Sequence, residues 1–127
     1  MTLREKQSLF LSNVSKLITW AFENGYQLTI GEGLRTSEQQ LLYFEGYSIQ
    51  KIGSGLHFVK TARKTKTLQS KHLEKLAIDL NVFIDGIYTV DKSKLQPIGD
   101  YWESLNELNQ WGGNWTTFLD TPHFQMT

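Results

Sequence analysis

The sequence predicts an α+β domain in which a small antiparallel sheet packs against helices. Segments whose apolar residues recur at three- and four-residue steps are interspersed with short alternating segments, which are typical of half-buried strands. Asp85-Gly86 lies between two of the alternating segments and is a strong signal for a two-residue hairpin. With 127 residues, the chain is expected to form a single domain over residues 1–127, because smaller pieces would bury too little surface.

Three segments have the spacing or the end signals of a helix. The first runs from about residue 3 to residue 24 and is closed by Gly25. The second begins at Thr36-Ser37-Glu38 and ends at Gly46. The third is predicted across residues 99–109. Its inward-facing residues are Trp102, Leu105 and Leu108.

Alternating segments predict the strands, which are expected at residues 26–30, 77–84, 87–90 and 123–126. Within residues 77–84, Asp79 lies on the less apolar face. The segment from Ser48 to Ser70 keeps neither period and predicts a mobile loop that includes a short hairpin.

Composition excludes several classes of function. Hydrophobic residues make up 39% of the chain and charged residues 20%, which is typical of a folded protein. Thirteen Lys and Arg balance thirteen Asp and Glu, so no overall field attracts nucleic acid or a membrane. The chain has no cysteine, so a transition metal must be bound by His and carboxylate side chains. No signal peptide or membrane-spanning stretch is recognisable, which predicts synthesis in the cytoplasm and no membrane insertion. The chain is also expected to be a monomer.

Two histidines and two aspartates have the spacing of a catalytic zinc site. Asp79 follows His72 by seven positions, and Asp120 precedes His123 by three. Catalytic zinc usually has three nitrogen or oxygen ligands from the protein and a water molecule as the fourth. His72, Asp79 and His123 supply such a set, and Asp120 is then available as a general base.

Four ordered segments resemble the D-alanyl-D-alanine carboxypeptidase family of zinc peptidases, whose fold hedgehog signalling domains share. The family includes D-Ala-D-Ala dipeptidases and the L-alanyl-D-glutamate endopeptidases of phage endolysins. The resemblance covers roughly residues 30–47 and 70–127. Its segments are Gly33-Leu34-Arg35-Thr36-Ser37-Glu38-Gln39-Gln40, Ser70-Lys71-His72 with Ala77-Ile78-Asp79, Trp111-Gly112-Gly113-Asn114-Trp115, and Asp120-Thr121-Pro122-His123-Phe124.

The resemblance implies one zinc ion per chain on His72, Asp79 and His123, with Asp120 as the catalytic base. It also implies that Arg35 binds the scissile carbonyl oxygen or a substrate carboxylate, and that Ser70 and Gln39 are further candidates for substrate contacts.

Two positions depart from the family's pattern. Lys75 stands where the family commonly has glycine, and Asp120 stands where many members have glutamate.

Structural alternatives exist for several of these residues. Asp120 is also suited to a turn before Thr121-Pro122, and Arg35 to an ion pair with Glu38. His57 matches no segment of the family and is interpreted as structural. The basic run Arg63-Lys64-Thr65-Lys66 is typical of a solvated loop, with a flap for anionic wall polymer as the alternative.

The predicted function is hydrolysis of an amide in the peptide stem of peptidoglycan. An L-alanyl-D-glutamate endopeptidase of the phage endolysin type is the main expectation, with a holin-type partner to release it to the cell wall. The alternatives are a D-Ala-D-Ala carboxypeptidase or dipeptidase and a zinc-bearing, inactive wall-binding module. Retention of Asp120 and Arg35 argues against the inactive module, because a purely structural site needs neither of them.

Overall fold

The computed structural model describes all 127 residues, and it confirms the first two helices. Helix α1 spans Leu3–Glu23 and begins with a capping box between Thr2 and Glu5. Helix α2 spans Ser37–Glu45, with Thr36 as its N-cap and Gly46 as its left-handed C-cap. No helix is long and apolar enough to cross a membrane.

The third helix, α3, spans Lys92–Leu105, so the predicted start at residue 99 and end at residue 109 are wrong. The side chain of Asp91 accepts a hydrogen bond from the backbone N–H of Ser93, which starts the helix seven residues earlier. Pro97 lies inside the helix, where it leaves the carbonyl of Ser93 without its usual donor. Burial of residues on either side of Pro97 offsets that loss.

The main sheet is antiparallel and is built around one central strand. Its strands are β1 (Tyr26–Ile30), β4 (Ala77–Ile84), β5 (Ile87–Thr89), β6 (Asn109–Trp111) and β7 (His123–Met126). The order β1-β4-β7-β6 forms the main path, and β5 also pairs with β4. This confirms the predicted α+β class and the hairpin at Asp85-Gly86.

A second, two-stranded sheet confirms the short hairpin expected between residues 48 and 70 and takes up most of the predicted loop. Strands β2 (Tyr47–Ile52) and β3 (Gly55–Lys60) form a regular antiparallel hairpin, which we call the hairpin arm. Most residues on both of its faces are exposed, so the sequence lacks the inward and outward alternation by which strands are recognised. Residues 61–70 remain irregular.

The core lies between the main sheet and helices α1 and α3. Helix α1 contributes Phe10, Val14, Leu17 and Ala21, whose spacing places them on one face. The other buried residues are Leu76, Leu80, Val82, Leu95, Ile98, Trp102, Trp111, Phe124 and Met126. Strands β4 and β7 therefore pack against a buried hydrophobic interior.

Candidate metal centre and active site

His72, Asp79 and His123 lie together although up to 51 positions separate them in the sequence. Asp79 on β4 is paired directly with His123 on β7, so both side chains lie on the same face of the sheet. His72 comes from the turn that precedes β4. The Asp79 Oδ1 atom lies 3.1 Å from His123 Nδ1 and 3.4 Å from His72 Nε2.

These three side chains fit a zinc ion. Their donor atoms all lie within 4.8 Å of one another. Two ligands about 2 Å from a tetrahedral zinc ion are roughly 3.3 Å apart, close to the two distances measured to Asp79. The donor set of two imidazoles and one carboxylate is also one that catalytic zinc uses.

Both histidines are oriented by a hydrogen bond from the ring nitrogen that faces away from Asp79. His72 Nδ1 lies 2.7 Å from the carbonyl oxygen of Gly33, which only accepts, so Nδ1 carries the proton. His123 Nε2 lies 2.8 Å from Gln125 Oε1. When each ring is neutral and protonated on this outer nitrogen, its other nitrogen faces Asp79 and is free to bind a metal ion, an arrangement that orients histidine ligands in zinc sites.

The electrostatics of the cluster keep Asp79 ionised. Burial acts to raise the pKa of Asp79, but the hydrogen bonds and charges of His123 and His72 outweigh it and lower the pKa to about 2. Burial acts to lower the pKa of His123, but the hydrogen bonds to Asp79 and Gln125 raise it overall. A metal ion at this site therefore competes with a proton for His123.

Asp120 lies at the edge of the cluster. Its Oδ2 atom is 3.9 Å from His123 Nδ1, and its side chain is about a third exposed, at 35%. Burial raises the pKa of Asp120, with a smaller contribution from the charge of Asp79. This carboxylate is close enough to exchange protons with a water molecule at the metal site, and it remains accessible from the cleft.

The Trp-Gly-Gly turn positions Asp120. The backbone N–H of Asp120 donates to the carbonyl of Gly112 at 3.0 Å, and a Cβ at Gly112 would lie 2.2 Å from the Asp120 carbonyl oxygen. Gly113 is equally restricted, because a Cβ there would lie 2.2 Å from the ring of Trp111. Both positions therefore require glycine because neighbouring atoms lie too close for a Cβ. Their backbone angles are ones that other residues also adopt.

Arg35 lines the cleft and is held by two side chains that the sequence analysis did not identify. Its Nε donates to Glu32, and its Nη1 donates to Gln40 Oε1 at 2.8 Å. Gln40 is 1% exposed and donates in turn to the carbonyl of Thr67 at 2.7 Å. Arg35 forms its ion pair with Glu32, and none with Glu38.

The structure brings Ser70 into the cleft but leaves Gln39 outside it. Ser70 Oγ accepts a hydrogen bond from the backbone N–H of His72 at 3.2 Å. Gln39 is partly exposed on α2, and its neighbour Gln40 makes the contact to Arg35. Gln40 could have been recognised as a buried polar residue next to a predicted site, but the sequence alone does not show which residues are buried.

Lys75 adopts the left-handed conformation that explains the glycine of the family pattern. Its φ is +59°. The N–H of Leu76 donates to the carbonyl of Lys71, and the N–H of Lys75 to that of His72, as in a Schellman turn. Glycine is usual at this position because it has no Cβ to strain.

The cluster opens into a cleft of about 800 Å³. Trp115 forms part of its wall, with its ring centroid 5.1 Å from that of His123. Lys64 and Lys71 bring positive charge to the lining. His57 is exposed on β3 and does not line the cleft.

Two buried imidazoles, one ionised carboxylate and a second, accessible carboxylate in an open cleft are characteristic of hydrolases that use a single metal ion. A family model described as D-alanyl-D-alanine carboxypeptidase matches residues 63–126, which is half of the chain. The chain belongs to this peptidase family.

Two individual proteins are similar to the chain. The L-alanyl-D-glutamate peptidase of Listeria phage A118 is 31% identical over 116 residues, which cover 87% of this chain and 34% of that protein. The chain thus spans about a third of the length of this relative. The crystal structure of the L-Ala D-Glu endopeptidase ChiX from Serratia marcescens has a TM-score of 0.64, with 24% identity over 91% of this chain and 79% of that one. This likeness establishes the fold.

Proposed function

We propose that the chain is a zinc-dependent endopeptidase that cleaves the bond between L-Ala and D-Glu in the peptide stem of peptidoglycan. The observation that carries the proposal is the meeting of His72, Asp79 and His123 on one face, with Asp120 beside them. Family membership supports peptide hydrolysis, and the names of the phage and Serratia proteins support the choice of bond.

In the proposed reaction, His72 Nε2, Asp79 Oδ1 and His123 Nδ1 hold one zinc ion. When bound, zinc acts as a Lewis acid that makes water nucleophilic at neutral pH and polarises a carbonyl group. Asp120 accepts the proton of the attacking water at its carboxylate and then donates it to the leaving amine of D-Glu. Its position at the edge of the cluster suits this exchange, because it does not need to enter the ligand set.

Arg35 orients the substrate in this proposal. Its contacts with Glu32 and Gln40 hold the guanidinium at the cleft and leave further N–H groups free to donate. These groups bind the scissile carbonyl oxygen as negative charge develops on it, or a carboxylate of the stem. Ser70 lines the same cleft and remains a candidate contact.

The family description itself favours a second candidate, a D-Ala-D-Ala carboxypeptidase. Such an enzyme must bind a free C-terminal carboxylate, for which the cleft offers Lys64 and Lys71. Lys71 already pairs with Glu74 at 2.8 Å, which leaves Lys64 as the better candidate for that carboxylate.

Digestion of purified peptidoglycan distinguishes these activities. The new amino groups are labelled after digestion with the zinc-loaded protein, and the residue that bears them is identified. Labelled D-Glu supports the endopeptidase, whereas free D-Ala without labelled D-Glu supports the carboxypeptidase. No product from any type of wall, with zinc fully bound, would indicate an inactive wall-binding module.

We further propose that the active protein is a monomer, and that it reaches the wall of its host with a holin-type partner.

A further inference from the structure

The hairpin arm extends from the domain with little support. Its strands contact each other along their whole length, and its principal neighbour in the rest of the fold is α2. The arm contributes no residue to the hydrophobic core and none to the lining of the cleft. At its base, Tyr47 and Phe58 line a small cavity together with Leu41, Leu42 and Glu45 of α2.

One face of the arm combines exposed apolar side chains with lysines. The register places Ile49 opposite Phe58, and Lys51 opposite Leu56, on the same face. The exposed fractions are 52% for Ile49, 77% for Leu56 and 73% for Phe58. Lys60 completes this face at its base, opposite Tyr47. Large apolar side chains that are this exposed and contiguous usually mark an interaction surface.

The arm and the segment after it also carry an excess of positive charge. Between residues 46 and 73 there are six Lys and Arg and no Asp or Glu. The rest of the chain carries the other seven Lys and Arg with all thirteen Asp and Glu. The chain therefore has a basic region although its overall charge is zero. The lysines of the arm form no ion pair.

We propose that the exposed face of the hairpin arm docks on an anionic lipid bilayer. Ile49, Leu56 and Phe58 enter the interface between headgroups and acyl chains, while Lys51 and Lys60 contact the anionic headgroups. The attachment is peripheral, and the metal site stays in water.

An anionic lipid bilayer fits this face better than an anionic wall polymer does. A wall polymer would pair with the lysines but leave the apolar side chains in water, whereas a bilayer accommodates both. Lysine is suited to this position because its aliphatic chain lies along apolar surface while its charge reaches the headgroups.

The apolar part of the proposal is tested with vesicles of phosphatidylcholine alone and of phosphatidylcholine with phosphatidylglycerol. Binding of the full chain is measured by flotation. The Ile49→Ser/Phe58→Ser variant is expected to bind the anionic vesicles at least about tenfold more weakly than the original chain. The matched control is Leu11→Ser/Ile87→Ser, which removes two side chains that are each 69% exposed elsewhere, and it should bind unchanged.

The charge part is tested with Lys51→Gln/Lys60→Gln. Each basic residue near an anionic bilayer contributes about a factor of five, so loss of two should weaken binding about 25-fold. The control Lys16→Gln/Lys92→Gln removes the same charge from two exposed positions in α1 and α3 and should have little effect. Added salt should weaken binding of the original chain, because it screens exposed charges.

Circular dichroism establishes that each variant is folded. Equal binding of the original chain to neutral and anionic vesicles, or no binding to either, would overturn the proposal. Binding to purified wall that depends on Lys51 and Lys60 but not on Ile49 and Phe58, without vesicle binding, would assign the arm to a wall polymer. Sedimentation shows whether the chain self-associates. If it does, if the Ile49→Ser/Phe58→Ser variant does not, and if vesicles are not bound, the arm would be assigned to contact with a second copy of the chain.

Discussion

The tight contact between Gly112 and Asp120 allows the proposed catalytic role of Asp120 to be tested without altering its side chain. In Gly112→Ala, the new Cβ would lie 2.2 Å from the carbonyl oxygen of Asp120. An ordinary contact between carbon and oxygen is roughly 3.3 Å, so the backbone at Asp120 must move by about 1 Å. The contact is with backbone atoms, which cannot rotate away as the end of a side chain can.

A displacement of this size should reduce catalysis far more than metal binding. A shift of about 1 Å in a positioned catalytic group can lower the rate about 100-fold, and we expect kcat to fall by that factor. Pairing of β7 with β4 holds His123 opposite Asp79, so the zinc content should stay near one per chain. Overpacking also costs about 1–3 kcal/mol of stability, so the thermal midpoint should fall while the protein remains folded at room temperature.

The assay compares kcat on soluble stem fragments, zinc by elemental analysis, and thermal unfolding. Gly33→Ala is the matched control, because Gly33 is close to the site but a Cβ there meets nothing within 4 Å. It should leave all three measurements nearly unchanged. A kcat for Gly112→Ala within twofold of the original, with the stability loss present, would refute the claim that this turn places a catalytic Asp120.

Four further predictions concern the site and the turn before β4. His72→Ala and His123→Ala should each lose zinc and unfold at a lower temperature, because metal binding is coupled to folding; elemental analysis checks this. Asp120→Asn should keep zinc and fold but lose most hydrolysis, because the amide cannot accept the proton. Arg35→Lys should lower kcat more than it weakens binding of wall fragments, because lysine keeps the charge but loses the planar fork. Lys75→Gly should raise the free energy of unfolding by about 0.5–1 kcal/mol, since relief of left-handed strain exceeds the entropy cost of glycine.

A specific result would contradict each of these predictions. Full zinc in both histidine variants would remove them from the ligand set, and an Asp120→Asn variant near the original rate would make Asp120 a turn residue. Equal turnover of Arg35→Lys would leave Arg35 as a structural partner of Glu32. Lys75→Ala keeps the strained backbone and serves as the control for Lys75→Gly, so an equal gain in both variants would exclude relief of strain as the cause.

Residues whose roles depend on their neighbours in the chain were recognisable from the sequence. The capping signals at Thr36 and Gly46 predicted the ends of α2, because a cap acts on backbone groups within one turn. The start of α3 was predicted seven residues too late. Pro97 is tolerated inside the helix because residues on either side of it are buried, and this burial depends on the tertiary structure.

The candidate site was predicted in the same local way. His72 with Asp79, and Asp120 with His123, were identified by spacing and by resemblance to the family. Their distances, and the protonation of the two rings, follow from the pairing of β4 with β7 and from the acceptors Gly33 and Gln125. No spacing rule predicts these contacts.

The sequence by itself determined the fold class, most of the elements and the identity of the candidate ligands. Tertiary structure alone decided that Gln40 rather than Gln39 supports Arg35, that Gly112 has no space for a Cβ, and that the hairpin at residues 47–60 is exposed. The physical reason is the range of the interactions. Caps, turns and amphipathic spacing act over a few residues, whereas burial, register and close approach depend on segments that meet only after the chain has folded.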